Sequence, residues 1–261
     1  MRVLVTGAAR AIGAATVKEL AERGHEVVAT ARQPDLLAEL PAMCRLRLDV
    51  TDPESVAAAL EQAGELDAVV NNAALTVEGP IESFPIDRLR AMFETNTIGP
   101  VRVIQAVLPA WRKRGSGVIV NLSSVQGRIG PPLEGAYAAT KHALEAISEA
   151  LHIEVGHFGI RVAIIEPGYI APGMKHTADV PGPDSYDELR RQWGGNVSAV
   201  APGGRTPAGV VARAIAEAIE QPATPLRVVV GDDAAMVLAA RRRLEDDEFE
   251  AAMREMLGLS W

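Results

Sequence analysis

RVLVTGAARAIG, residues 2–13, opens the chain and decides how the rest is read. RVLV (2–5) is a short apolar run suited to a buried strand, and a helical pattern runs from about residue 11 to 23, where Gly24 stops it. Between them lies TGAARAIG (6–13). A glycine-bearing turn that joins a first strand to a first helix lets the backbone approach a pyrophosphate and aims helix N–H groups at it. A tight turn with no ligand is the ordinary alternative. The turn becomes meaningful only if the chain goes on alternating strand and helix.

It does. EVVAT (26–30) is followed by a short helix, RLRLDV (45–50), a helix opened by Asp52-Pro53, LDAVVN (66–71) and a long helical region from about 86 to 114. GVIVNLS (117–123), a helix from about 134 to 157, RVAIIEP (161–167), a helix at 207–220, LRVVVG (226–231) and two terminal helices complete the pattern. Proline is favoured in a first helical turn, which supports the start at Pro53. Short apolar strands separated by helices imply a parallel sheet covered on both faces. With right-handed crossovers the solution is doubly wound. The fold class is therefore α/β, a Rossmann-type doubly wound and mostly seven-stranded parallel sheet with helices on both faces. No linker or fixed-period repeat divides the chain, so residues 1–261 read as one dinucleotide-binding and catalytic domain. From 168 to 207 the rhythm breaks in a run rich in Gly and Pro, among them Pro172, Gly173, Pro181, Gly182, Pro202 and Gly203. An insertion of this length after a strand's carboxyl end reads as a substrate lid.

Tyr137 and Lys141 stand four apart in EGAYAATKHALEAISEAL (134–151), and Ser124 ends the apolar strand before it. On a helix, i and i+4 share a face. An ammonium close to a phenol favours the phenolate, which would bring the tyrosine pKa down toward neutrality and suit it to proton transfer at a carbinol or carbonyl oxygen. Ser124 would hold the same oxygen, while Ser123 reads as no more than a strand-end cap. Taken alone, the Tyr–Lys pair reads better as a surface tyrosine beside a solvated lysine.

Together these motifs resemble the short-chain dehydrogenase/reductase family in its single-domain branch, over nearly the whole chain. Thr6-Gly7 through Ile12-Gly13 match its cofactor turn, Asp49-Val50 the pair flanking the adenine, and Asn71-Asn72-Ala73-Ala74 its Asn-Asn-Ala-Gly. Asn96 matches the asparagine of the central helix, and Ser124, Tyr137 and Lys141 match the catalytic group. Pro167-Gly168 match the turn after strand six. The resemblance implies transfer of the 4-pro-S hydride of a dihydronicotinamide, with Tyr137 as general acid/base and Lys141 on the nicotinamide ribose. It further implies that Asn96 positions a water linking Lys141 to solvent. Gly7, Arg10, Ala11, Ile12, Arg32, Asp49, Val50, Asn72, Ala73, Pro167, Gly168 and Ile170 are the remaining cofactor contacts expected. Ala11 stands where the family has its middle glycine. Its methyl could crowd the pyrophosphate, so Ala11→Gly would tighten cofactor binding while slightly lowering stability if residue 11 is helical. Pro172 stands where the family usually has a threonine, so one hydroxyl contact is missing.

An NAD-preferring site usually ends strand two with an acid that accepts from the ribose 2′-OH. Here Arg32 occupies that neighbourhood and Arg10 lies in the turn, and guanidinium groups pair well with phosphate. NADP(H) is expected, with NAD(H) the lesser alternative if Asp35 faces the ribose. Steroid- or retinoid-like lipophilic ketones and alcohols lie within the resemblance. The wall expected around them is Val125, Gln126, Pro131, Pro132, Leu133, Tyr169, Met174, Tyr186 and Trp193, mostly apolar. A non-catalytic nucleotide-binding sensor of the same fold is the principal rival, although such a protein tends to lose the tyrosine or lysine kept here. A sugar-nucleotide epimerase or dehydratase would need a larger C-terminal region.

The 261 residues carry a formal charge of −8, with 48% apolar and 23% charged side chains, which argues against nucleic acid or an anionic membrane as partner. One cysteine cannot form an internal disulfide, no apolar run approaches a membrane span, and Met1 leads straight into an apolar strand without signal-peptide anatomy. A cytoplasmic protein acting on a small molecule is expected. No metal site is expected from the five histidines. A homodimer or homotetramer is expected from Val101, Ile104, Val107, Leu108, Ala143, Ala146 and Leu151, read as apolar residues in excess of what one sheet face covers.

Overall fold

A computed structural model describes residues 1–174, 180–196, 201 and 203–261. In chain order the elements are β1 (Arg2–Val5), α1 (Ala11–Glu22), β2 (Glu26–Ala31), β3 (Cys44–Arg47), α2 (Pro53–Ala63) and β4 (Ala68–Asn71). Then come α3 (Ile86–Phe93), α4 (Gly99–Arg114), β5 (Gly117–Leu122), α5 (Gly135–Gly156), β6 (Ile160–Pro167) and β7 (Ile170–Ala171). The chain continues through α6 (Asp187–Asn196), β8 (Thr206–Pro207), α7 (Ala208–Glu220), β9 (Arg227–Val230), α8 (Asp232–Arg243) and α9 (Asp246–Leu257). Seven strands form one parallel sheet in the order β3-β2-β1-β4-β5-β6-β9. The order reverses direction beside β1, and β4 fills the other side of that strand, which opens a crevice at their carboxyl ends.

The two-residue period of the strands builds two cores. Val3, Val5, Val27, Ala29, Val70, Val118 and Val120 pack under α1 and α7 with Val17, Leu20, Val211, Ile215 and Ile219. Leu4, Val28, Val69, Ile119 and Val162 point the other way, against α2, α4 and α5 with Val56, Val103, Ile104, Trp111, Leu151 and Val155. Alternate residues of one strand thus serve opposite layers, so none of these strands can expose a face to water. Between the layers a buried polar ladder crosses the sheet, with Asn71 Nδ2 donating to Asn121 Oδ1 at 2.8 Å and Asn121 Nδ2 to Ser148 Oγ at 2.8 Å. It ties α5 to the sheet through Ser148.

The second core corrects the surface expected of α4 and α5. Ile104, Val107 and Leu151 are buried beneath their own sheet, so they are not available to a partner. Val101, Leu108 and Ala143 are half-buried, and Ala146 is exposed. The long helical region at 86–114 is also not uniform, because residues Glu94–Ile98 form one wide π turn between α3 and α4. Of the segment expected to be a lid, residues 175–179, 197–200 and 202 lie outside the described residues. The described part is built rather than irregular: β7 pairs with β8, and α6 docks through Trp193 onto Leu257 of α9. Among the described residues no helix is long and apolar enough to cross a membrane.

Candidate active site

The turn after β1 is clamped from β4. Thr6 Oγ1 accepts from the backbone N–H groups of Asn72 and Ala73, both at 3.0 Å. The Asn72 side chain returns the contact, donating to the carbonyls of Thr6 at 2.9 Å and Gly7 at 3.0 Å. Asn72 therefore acts on the turn by shaping it. The approach is close enough to forbid side chains: a Cβ on Gly7 would lie 2.8 Å from Ala73 Cα, and one on Gly13 would lie 2.5 Å from the Gly7 carbonyl oxygen. Such a backbone-lined cradle at a helix N-terminus fits a pyrophosphate. Ile12 is half-buried at its rim and Arg10 is exposed.

Ala11 departs from the expectation made for it. Its φ is +44°, in the left-handed region, so it is not yet in helical conformation. There an L-residue is strained by roughly 1–2 kcal/mol and glycine is not. The stability argument consequently reverses: glycine at position 11 relieves strain instead of loosening a helix.

At the other side of the crevice, Ser124 follows β5 and caps the short 3₁₀ turn at residues 125–127, its Oγ accepting from Gln126 N at 3.2 Å. The cap is thus Ser124, not Ser123, whose hydroxyl is buried and makes no hydrogen bond. Ser124 lies close enough to the Tyr137 phenol to favour its ionised form. Lys141, only 2% exposed, has its Nζ 5.6 Å from the centre of the Tyr137 ring. It donates to the Leu122 carbonyl at 2.6 Å. Ser124, Tyr137 and Lys141 are thereby brought together by the end of β5 and one face of α5. Asn96 sits behind them in the π turn, 1% exposed. Its Oδ1 accepts from Leu75 N at 2.8 Å, and its Nδ2 donates to Leu75 O at 2.9 Å and Thr140 Oγ1 at 3.0 Å. The side chain is fully occupied in tying the exit of β4 to α5.

The acid–base balance differs from what the Tyr–Lys spacing suggests. Burial pushes the Tyr137 phenol up, not down; the Glu134 carboxylate adds to the rise, and only Ser124 opposes it. Lys141 is itself disfavoured as a cation, its pKa falling from 10.5 to about 8 through burial, against a smaller upward pull from Glu145. The i,i+4 face is shared, but the ammonium is directed at the Leu122 carbonyl beside the ring.

The remaining expected contacts lie along the carboxyl ends of the strands. Arg32 is exposed just past β2, and with Arg47 its charge helps hold the Asp49 carboxyl low. Burial acts on Asp49 in the opposite direction and is outweighed by hydrogen bonds from Thr51 together with those cations. Neither Arg10 nor Arg32 forms an ion pair among the described residues. Val50 is buried against Gly99, and Ala73 packs beside it in the same core. Pro167-Gly168 end β6, and Ile170 is half-buried in β7, opposite Thr206. Pro172 is exposed. In the expected substrate wall, Leu133, Tyr169 and Trp193 do cluster. Tyr186 instead turns away, donating to Glu82 at 2.7 Å and stacking on Trp261.

Two site residues escaped the sequence reading. Asp233, at the start of α8, accepts from Tyr169 N at 2.6 Å and fills the space over Gly168, where a Cβ would lie 2.1 Å from its Oδ2. It lies 64 residues from its partner, in an acidic helix start that looks like ordinary dipole compensation. Glu134, just before α5, is buried and accepts a hydrogen bond from the Gln126 side chain. Its closeness to Tyr137 in sequence was the available signal.

A doubly wound sheet with a backbone cradle at its crevice and a Tyr–Lys–Ser group across from it defines a nucleotide-binding oxidoreductase class. The short chain dehydrogenase family pattern matches residues 1–180, and the chain belongs to that family. An uncharacterized oxidoreductase of Bacillus subtilis is 38% identical over 200 residues, covering 70% of this chain and 71% of the relative. A 3-ketodihydrosphingosine reductase of Bacteroides thetaiotaomicron is 36% identical over 182 residues, covering 68% and 67%. Among solved structures, a short-chain dehydrogenase of Streptomyces avermitilis superposes with a TM-score of 0.82 at 34% identity, covering 99% of this chain and 96% of the other. A short chain dehydrogenase of Burkholderia cenocepacia in complex with NADP gives 0.77 at 25% identity, covering 98% and 96%. A 3-oxoacyl-[acyl-carrier protein] reductase of Brucella melitensis with bound NAD gives 0.74 at 28%, covering 88% and 89%.

Two substitutions test this geometry. Ala11→Gly should raise the melting temperature of the ligand-free protein by about 2 °C, since relief of left-handed strain outweighs the added chain entropy. A lower melting temperature in calorimetry would mean residue 11 is helical after all. Lys141→Met should also stabilise the ligand-free protein at pH 7. A lysine pKa of about 8 against 10.5 means the folded state disfavours the ammonium, so the destabilisation is full below pH 8 and fades as pH rises toward 10.5. The cost is about 3 kcal/mol, offset by about 1 kcal/mol for the lost Leu122 hydrogen bond. The melting temperature should therefore rise by about 5 °C at pH 7, with the gain shrinking above pH 8. An equal or lower value at pH 7 would show that the hydrogen bond dominates.

Proposed function

We propose that the protein is an NADP(H)-dependent oxidoreductase that interconverts a carbonyl and an alcohol on a lipophilic small molecule. The single observation that carries the reading is the gathering of Ser124, Tyr137 and the buried Lys141 at the sheet's carboxyl edge. Ser124 and Tyr137 receive the substrate oxygen. Burial keeps the proton on the phenol at neutral pH, so Tyr137 is a donor ready for reduction, and in the reverse direction it accepts the alcohol proton. Lys141 uses one ammonium donor on Leu122, and its two other donors are available to ribose hydroxyls. Gly7, Ala11, Ile12 and the Gly13 approach form the pyrophosphate cradle; Asp49, Val50 and Ala73 border the adenine side, and Pro167, Gly168 and Ile170 the nicotinamide side. The nicotinamide, when bound, supplies or takes the hydride. Relatives of this chain carry NADP in one case and NAD in another. Here exposed Arg10 and Arg32 favour a 2′-phosphate.

Tyr137→Phe should lower kcat by about 10²–10⁴-fold while leaving NADPH binding nearly intact. Run with NADPH and NADH in parallel on a panel of ketones, the same assay should give the higher kcat/KM with NADPH. A preference for NADH would sink the cofactor assignment, and a variant keeping a tenth of the activity would remove Tyr137 from proton transfer. No turnover by the wild type would favour the non-catalytic sensor.

The whole chain, including the 168–207 segment, serves this one site, in a cytoplasmic setting. We also read the protein as a homodimer or homotetramer, through the positions of α4 and α5 that their own sheet leaves uncovered, Ala146 and the 79%-exposed Ile153 among them. A light-scattering mass near 27.7 kDa at micromolar concentration would contradict it.

A further inference from the structure

Behind Lys141, between α5 and the ends of β5, β6 and β9, lies a group of buried polar side chains that the proposed chemistry does not use. Ser123, Glu145 and Glu166 are each at most 4% exposed. Ser123 Oγ, Glu145 Oε1 and both Glu166 oxygens have no hydrogen-bond partner among the described residues. A Cβ on Gly127 would run into Ser123 Oγ and lie 3.1 Å from Glu145 Oε1, so these two atoms border one small space. Ser123 directly follows Leu122, whose carbonyl takes the Lys141 ammonium. Glu145 stands one helical turn beyond Lys141 on the buried face of α5.

The charges facing Glu145 come from four other places. Arg227 of β9 donates from Nε to Glu145 Oε2 at 3.0 Å, and the same Nε is 3.5 Å from Glu166 Oε1 of β6. Its Nη2 is spent on Glu149, further along α5, at 2.7 Å. Arg128, after the 3₁₀ turn, lies 3.5 Å from Glu166 Oε1. Burial and Glu145 push the Glu166 carboxyl up, and Arg128, Arg227 and Arg242 of α8 oppose them. Arg227 is thus divided among three carboxylates, and Glu145 keeps one oxygen that it does not reach. On the other side is the Lys141 ammonium, which burial disfavours and which the Glu145 charge supports.

We propose that Glu145 is a positioning residue for Lys141, its charge holding the lysine as an ammonium from one turn away. This rests on the oxidoreductase reading above, in which that ammonium meets the ribose hydroxyls. Since burial and Glu134 hold the Tyr137 proton in place, Lys141 is the first of the pair to lose its proton as pH rises. Glu145 therefore sets the upper pH limit of the site. A buried charge at this spacing moves a lysine titration by about one pH unit or more.

The test follows Lys141 directly, in ligand-free protein isotope-labelled at the lysine Cε, by nuclear magnetic resonance across a pH series. Its signal is the one lost in Lys141→Met. The wild-type midpoint should lie at about 8. Glu145→Gln leaves an acceptor for Arg227 but removes the charge, and its midpoint should fall by about one pH unit. Glu145→Asp, which keeps the charge, should fall between the two. Glu166→Gln removes a buried carboxyl that does not act on the lysine, and should leave the midpoint within a few tenths of a unit. In turnover, the alkaline limb of kcat/KM for NADPH, which reports the cofactor-free enzyme, should move with these midpoints. An unchanged midpoint in Glu145→Gln would overturn the inference and make Glu145 a clamp between α5 and β9. An equal fall in Glu166→Gln would overturn it too, since the lysine would then answer to the cluster's net charge. Should the glutamine variant not fold, the aspartate variant decides: a midpoint below wild type supports the assignment, and an unchanged one overturns it. If the midpoints move as expected but no ketone is reduced, the role of Glu145 stands and the oxidoreductase reading falls. If ketones are reduced while Lys141 ignores Glu145, the reverse is true.

Discussion

One ammonium group, taken out of water and set against one carbonyl oxygen, is the condition that the rest of the site must satisfy. Lys141 is 2% exposed, and burial, against a smaller upward pull from Glu145, brings its pKa down to about 8. Such a group is kept in place only by a surround that cannot relax. That surround is the polar ladder from Asn71 through Asn121 to Ser148, which pins α5 across the sheet, and the Asn96 side chain, which joins Leu75 to Thr140 one residue before the lysine. The π turn at Glu94–Ile98 places Asn96 where both partners can be reached. A site residue that destabilises the ligand-free fold is thus held by residues whose hydrogen bonds are entirely internal.

The fold was legible because its two periods are clean. Strands such as Val3-Leu4-Val5 send alternate side chains to the two cores, and the helices between them carry their own apolar stripe. Most strand edges and helix ends fell within a residue or two of where glycine, proline and the end of the apolar run put them, but β3 stops at Arg47, three residues short of the expected end at Val50. The gathering of Ser124, Tyr137 and Lys141 was legible for a different reason: they are close in sequence, and their spacing carries across a single strand–helix unit. Contacts between distant segments were not legible. Asp233 reaches Tyr169 from 64 residues away, and no local pattern marks an acid at a helix start as a site residue.

Three misreadings share one physical cause, the use of local geometry where environment decides. Ala11 was read by its place at a helix start, but the turn forces it to φ +44°. The Tyr137 pKa was read from one neighbouring cation, but desolvation and Glu134 raise it and only Ser124 pulls the other way. The apolar residues of α4 and α5 were read as excess, but Ile104, Val107 and Leu151 complete a core that also includes Trp111 from the same α4. Burial is a property of the assembled molecule, and sequence spacing reports only half of it.

The contact between Asp233 and the Gly168–Tyr169 turn also sets an order of events. Chains are made from the N-terminus at roughly 5–20 residues per second. Every motif residue, from Gly7 to Gly168, leaves the ribosome before β9, which borders β6, and before the acid that fixes the turn. The nascent chain therefore carries Ser124, Tyr137 and Lys141 for some seconds before Asp233 can reach the Gly168–Tyr169 turn. Asp233 and Val237 of α8 and Met253 and Leu257 of α9, all made after the last strand, line the cavity beside Tyr169, so synthesis itself delays that wall until the sheet has its final edge.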